Sequence, residues 1–164
     1  MFLVNGKSSD FRTNWENYQE YLQGIQGRLP EAARKFTLSD WHYDPQDHRC
    51  PHDARLESVA IREPAEGERQ QDRKIDIQIV LLGAYHDGKI EIHYPDVASY
   101  YIARGFDSSN RGKQIGHGDW LTDEVRLSDT GLVIDEIEFE EGIWVIEAGN
   151  IEYTWKPFLA PITR

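Results

Sequence analysis

Three things are scarce in this sequence. The first is cysteine: 164 residues include one, Cys50. A single thiol excludes an internal disulfide framework and points to a reducing compartment. The second is long apolar runs. None approaches the ~20 residues that a membrane-spanning helix needs, and the opening MFLVNGKSSD turns polar too early for a signal or transit peptide. The expected location is therefore the cytoplasm, with no membrane partner. The third is positive charge in the C-terminal third. Residues 119–152 hold eleven acids and one base, Arg126. Residues 1–82 carry 14 acids and 11 bases, whereas residues 83–164 carry 15 acids and 7 bases, so most of the net −11 lies in the second half. Such a field repels nucleic acid and attracts a basic protein. Sequence signatures of catalysis are also lacking. There is no Gly-x-Ser-x-Gly, no phosphate-binding Gly-Lys-Ser/Thr and no His-Glu-x-x-His, so no catalytic residue and no cofactor is expected.

Material for a core is plentiful. Hydrophobic residues make up 39%, and there are five Trp, eight Tyr and six Phe. The length fits a single domain over 1–164. Thr13 and Glu16 have capping-box spacing. Trp15, Tyr18, Leu22 and Ile25 follow on one helical face. Gly24 and Gly27 close that helix, and Pro30 opens a second through Phe36. Residues 38–53 have no periodicity and read as an ordered loop. Strands follow at 55–62, 74–82, 90–94, 97–103, 124–127, 132–140, 143–148 and 151–155, joined mostly by short turns such as Asp87-Gly88. Short turns force antiparallel neighbours. The fold class is α+β: N-terminal helices packed on a largely antiparallel sheet of about seven or eight strands, either curled into a half-barrel or split into two layers. Ile75, Ile77, Ile79, Ile90, Ile92 and Ile137 belong to its core. The polar stretches 63–73 and 105–116 should be its most mobile internal segments.

Two clusters invite a functional reading. His42, His48, Cys50 and His52 gather donor types that bind zinc, and four would close a tetrahedron. Their spacing matches no zinc pattern, and the expectation is no bound metal, with at least one side chain turned away. His52-Asp53, His86-Asp87 and His117-Gly118-Asp119 put carboxylates beside imidazoles, an arrangement that can serve acid–base work. The second cluster is acidic. Glu136, Glu138 and Glu140 alternate with Ile137 and Phe139, and Glu147 and Glu152 lie on the next two strands. Pairing in order would line one sheet face with carboxylates, whose mutual repulsion a cationic partner relieves.

The segments HDARLESVAI (52–61), IDIQIVLL (75–82) and IEIHYPDVASYYI (90–102) together resemble a layout found in small bacterial families, some of them immunity proteins of polymorphic toxin systems. Their shared marks here are His52, Asp53, Tyr94 and Val97. The resemblance implies a non-enzymatic domain that binds and neutralises a partner protein. The leading expectation is thus a protein-binding module that meets a basic protein through Glu136, Glu138, Glu140, Glu147 and Glu152. The alternative is an enzyme or metal-binding protein centred on the loop 42–53.

Overall fold

The computed structural model describes residues 2–4, 10–105 and 116–159. Much of the segment expected to be mobile at 105–116 therefore lies outside the described residues. Helix α1 spans Phe11–Ile25, three residues longer at its start than the capping-box spacing predicts. Asp10 is the cap: its carboxylate accepts from the Arg12 N–H at 3.1 Å and the Thr13 hydroxyl at 2.5 Å. Aspartate caps as well as threonine does, and its charge also favours the positive end of the helix. Glu16 pairs with Arg12 instead of reaching back. Tyr18, Leu22 and Ile25 are buried, as the periodicity predicts. Helix α2 is Glu31–Leu38, with Pro30 just ahead of it.

Among the described residues, ten strands form three antiparallel sheets, none closed, so the seven or eight strands expected of one sheet are divided between sheets. The first sheet has the order β1 (Arg55–Arg62), β4 (Asp76–Leu82), β5 (Gly88–Tyr94), β10 (Glu152–Pro157). The second runs β6 (Val97–Ile102), β9 (Gly142–Ala148), β8 (Val133–Phe139), β7 (Trp120–Leu127). The third is a two-residue ladder, β2 (Ala65–Glu66) with β3 (Asp72–Arg73), inside the stretch 63–73 expected to be a turn.

The split has a visible cause in the corners. Strand β5 passes into β6 through Pro95-Asp96, with Asp96 at φ 51°, and β9 passes into β10 through Gly149-Asn150. The Val97 N–H donates to Ile75 O, and the Gly149 N–H donates to Pro95 O. These bonds fix the point where the chain leaves one sheet for the other. On the opposite side, β1 and β7 meet at their first residues: the Trp120 N–H donates to Ala54 O, and Arg55 bridges Asp119. The inner faces share one core. Ile77, Ile79, Ile90, Ile92 and Ile137 are fully buried there, and Ile75 is half-buried against it. Each fully buried isoleucine contributes roughly 1.5–3 kcal/mol.

Strand β7 is an edge, and tyrosines stand where a next strand would pair. The Tyr43 hydroxyl donates to Asp123 O at 3.3 Å. The Tyr18 hydroxyl lies 3.3 Å from Val125 O and accepts from the Val125 N–H at 2.7 Å. Tyr21 accepts from the Leu127 N–H at 3.0 Å. Three hydroxyls at alternate residues satisfy an edge that would otherwise offer itself to another chain.

Candidate functional site

The acids of β7 and β8 divide between two faces. On the inner face, Asp123 and Asp135 sit among apolar side chains. The ring of His42, buried in the loop after α2, lies between two acceptors. Its Nδ1 is 2.8 Å from Phe36 O, and its Nε2 is 3.0 and 2.9 Å from the two Asp123 oxygens. A carbonyl only accepts, so Nδ1 donates, and Nε2 faces the carboxylate. Trp120 Nε1 adds a 3.3 Å contact to Asp123 Oδ1. Asp135 is fully buried and accepts from the Tyr94 hydroxyl at 2.7 Å. Burial first, and the nearby Asp123 charge second, hold its carboxyl well above the usual range.

On the outer face, Glu124 and Glu136 are direct cross-strand partners, and both are buried. Like charges in that position repel. Arg126, two residues further along β7, holds them: its Nε is 3.1 Å from Glu124 Oε1 and its Nη2 is 2.5 Å from Glu136 Oε2. One cation cannot neutralise two carboxylates. The remainder is met by backbone: the N–H groups of Phe2, Leu3 and Val4 approach Glu124 Oε2 at 2.7, 2.8 and 3.4 Å. Consecutive amides form an anion nest. The only base among residues 119–152 is thus consumed inside the fold.

The four donors of the loop after α2 engage four different partners. His42 faces Asp123. His48 stacks on Tyr85 with ring centroids 4.1 Å apart and pairs with Asp87 through Nδ1. The Cys50 thiol donates to His42 O at 2.9 Å, and His52 Nδ1 is 2.7 Å from Leu121 O. Among the described residues, no group of three or more His, Cys, Asp or Glu is placed to hold a metal ion. Burial pushes the Cys50 thiol up to about 11. A neutral, enclosed thiol is a poor nucleophile. A cleft of about 370 Å³ opens above this loop, lined mostly by apolar groups including Phe11, Trp15, Pro45 and Leu121. His42 and Cys50 contribute to its floor with their polar atoms already engaged. Of the three sequence-adjacent pairs, His52 and Asp53 do meet, at 3.5 Å on the surface, whereas Asp87 turns to His48.

The five glutamates proposed as a binding face do not all lie together. Glu138 and Glu147 share the outer face of the second sheet and are half-exposed. Glu136 is on that face but buried at 1% exposure by Arg126 and its surroundings. Glu140 follows the end of β8 and is exposed; its Oε2 accepts from the Asp119 N–H at 3.1 Å. Glu152 belongs to the other sheet, where it faces His93 at 2.9 Å across the β5–β10 pair. The corner at Gly149-Asn150 is the reason: it moves β10 out of the sheet that β9 belongs to. Sequence reasoning missed His42–Asp123 and Asp135 as structural centres. Asp135 carried a signal, since it alternates with Val133 and Ile137 and so occupies a core-facing position. The partnership of His42 with a residue 81 positions away had none.

Compared with protein-family models, curated proteins and solved structures, the chain matches none.

Proposed function

We propose that this chain is a non-enzymatic, immunity-like protein-binding module that meets a basic protein partner through the outer face of its second sheet. The observation that supports this most is the state of Arg126. Glu138, Glu140 and Glu147 stand at or near the surface of that face, and the neighbouring base is already engaged by Glu124 and Glu136. The exposed charge is left without a local counterion from β7, β8 or β9. A surface kept only for solubility costs less when signs alternate. Glu136 and Glu152, included by sequence pattern, have other work and are set aside. The side chains of the loop 42–53 support this reading by what they already do: His42, Cys50 and His52 are tied to the fold by hydrogen bonds.

The test is affinity capture from the native host's lysate. Wild type is compared with a Glu138→Gln, Glu140→Gln, Glu147→Gln variant at low and at physiological salt. The reading predicts partners captured by wild type, weakened by salt as the Debye length shrinks from ~30 Å at 0.01 M to ~8 Å at 0.15 M, and lost from the variant. Equal recovery by both proteins would refute it.

A further inference from the structure

The two four-stranded sheets expose four edges, and three are defended. Edge β7 is covered by the hydroxyls of Tyr18, Tyr21 and Tyr43. Edge β1 carries Arg55, Glu57 and Arg62, and edge β10 carries Glu152, Lys156 and Pro157. Charges and proline on an edge discourage the addition of a further strand. Edge β6 has none of these devices. Its sequence, Val-Ala-Ser-Tyr-Tyr-Ile, has no charge and no proline. It pairs with β9 on one side, and on the other it has no strand partner among the described residues. Residues 98–101, the middle of the strand, are exposed, with Tyr100 at 45% and Tyr101 at 63%.

We propose that β6 is the docking strand for an extended, cationic segment of the partner, which adds to the second sheet as a fifth strand. This rests on the acidic-face reading for the charge of the partner and goes beyond it in naming the edge and the binding mode. The charge argument is local. Tyr101 and Ser99 fall on the outer face, opposite Val145 and Glu147 of β9. Glu147 leans over β6, with its Oε2 3.2 Å from Ser99 Oγ. A strand added beyond β6 lies about 4.8 Å from it. A lysine or arginine on its outward side next to Ser99 has only that small side chain between itself and the Glu147 carboxylate. The next outward position meets the exposed ring of Tyr101, which suits an arginine or an apolar group. Main-chain hydrogen bonds supply affinity in this mode, and alternate side chains supply selectivity. A second copy of this chain is the poorer occupant. Two molecules of net charge −11 would bring two Glu147 side chains to one seam, and six residues of strand edge fall short of the ~1,200–2,000 Å² of a stable interface.

The probe is a phage-displayed library of random nonapeptides selected on the whole chain. The expected winners are rich in β-branched residues with lysine or arginine at alternate positions. A synthesised winner should slow hydrogen exchange at the amides of residues 98–102. Ser99→Lys, which neutralises Glu147 from within and puts a charge on the edge, should weaken it at least tenfold while leaving the melting temperature unchanged. Loss of binding in the Glu138→Gln, Glu140→Gln, Glu147→Gln variant but not in Ser99→Lys would overturn docking on β6 and leave the acidic face standing. Loss in Ser99→Lys alone would overturn the cationic partner and the acidic-face reading together. A selection without enrichment, or a dimer in solution that Ser99→Lys dissolves, would also overturn the proposal, the latter by assigning the edge to a second copy.

Discussion

Asp135 offers a sharp test of how the buried acids are held. Its carboxyl is fully buried, hydrogen-bonded by Tyr94, and raised well above its ordinary 3.8 by desolvation and by Asp123. The charged groups around it are already paired, Asp123 with His42 and Glu124 and Glu136 with Arg126, so none supplies a free cation. Because its folded value lies above its unfolded one, the native state binds the extra proton. Stability is therefore greatest below the unfolded value and declines as pH rises from about 4 toward the folded value. The slope is at most about 1.4 kcal/mol per pH unit for one proton, or about 3–6 °C of melting temperature for a chain of this size. Asp135→Asn keeps an oxygen for Tyr94 and removes the titration. Urea unfolding of both proteins from pH 5 to 9 is the assay. The variant should lose most of that downward slope and gain on wild type as pH rises toward the folded value. Parallel slopes in the two proteins would refute the reasoning. Asp47 acts in the opposite sense: lowered to about 2 by Arg49, it contributes a little stability that is lost as pH falls from about 4 to 2, and its exposure to solvent keeps that contribution small.

Three further outcomes follow from the same packing. His42→Ala leaves the buried Asp123 carboxylate with only its 3.3 Å contact to Trp120 Nε1 and should cost about 3–5 kcal/mol in chemical denaturation; a loss under 1 kcal/mol would mean that the pair is not holding the loop to β7. Tyr18→Phe strips the hydroxyl from Val125 N–H and C=O and should cost about 1–3 kcal/mol, with faster hydrogen exchange at Val125; unchanged exchange there would contradict the account of the edge. Cys50, raised to about 11 and 2% exposed, should react with a thiol reagent at pH 8 only as fast as the protein opens. Rapid labelling of the folded chain would show the thiol to be accessible.

Local patterns were legible in the sequence, and long-range partnerships were not. The alternation at Ile75–Leu81 and the helical face of Tyr18, Leu22 and Ile25 located the core, because period 2 and period 3.6 report directly on which side is dry. The helix start was misplaced because Thr13 and Glu16 fit a capping box as well as Asp10 fits a simple cap. The number of sheets depended on two corners, at Pro95-Asp96 and Gly149-Asn150. Short connections such as these read as hairpin turns in the sequence, yet here they send the chain from one sheet to the other. The acidic C-terminal third was visible as composition alone. Its division into buried Asp123, Glu124, Asp135 and Glu136 and surface Glu138, Glu140 and Glu147 depends on His42, Arg126 and the amides of residues 2–4, which approach from distant parts of the chain. The same holds for the histidines of the His/Cys cluster. They are close in sequence, yet His42, His48 and His52 turn to Asp123, Asp87 and Leu121 O in other parts of the chain.

The central proposal is that the acidic C-terminal third does two separate jobs, with buried Asp123, Glu124, Asp135 and Glu136 holding the fold and Glu138, Glu140 and Glu147 offered to a basic partner. The most direct measurement pairs a melting curve with partner capture for two variants. One is Glu138→Gln, Glu140→Gln, Glu147→Gln; the other is Glu124→Gln, Glu136→Gln. The account predicts that the first keeps the wild-type melting temperature and loses the captured partner, whereas the second melts lower because Arg126 and the amides of residues 2–4 lose their anions. A first variant that still captures the same partners in the same amounts would contradict it.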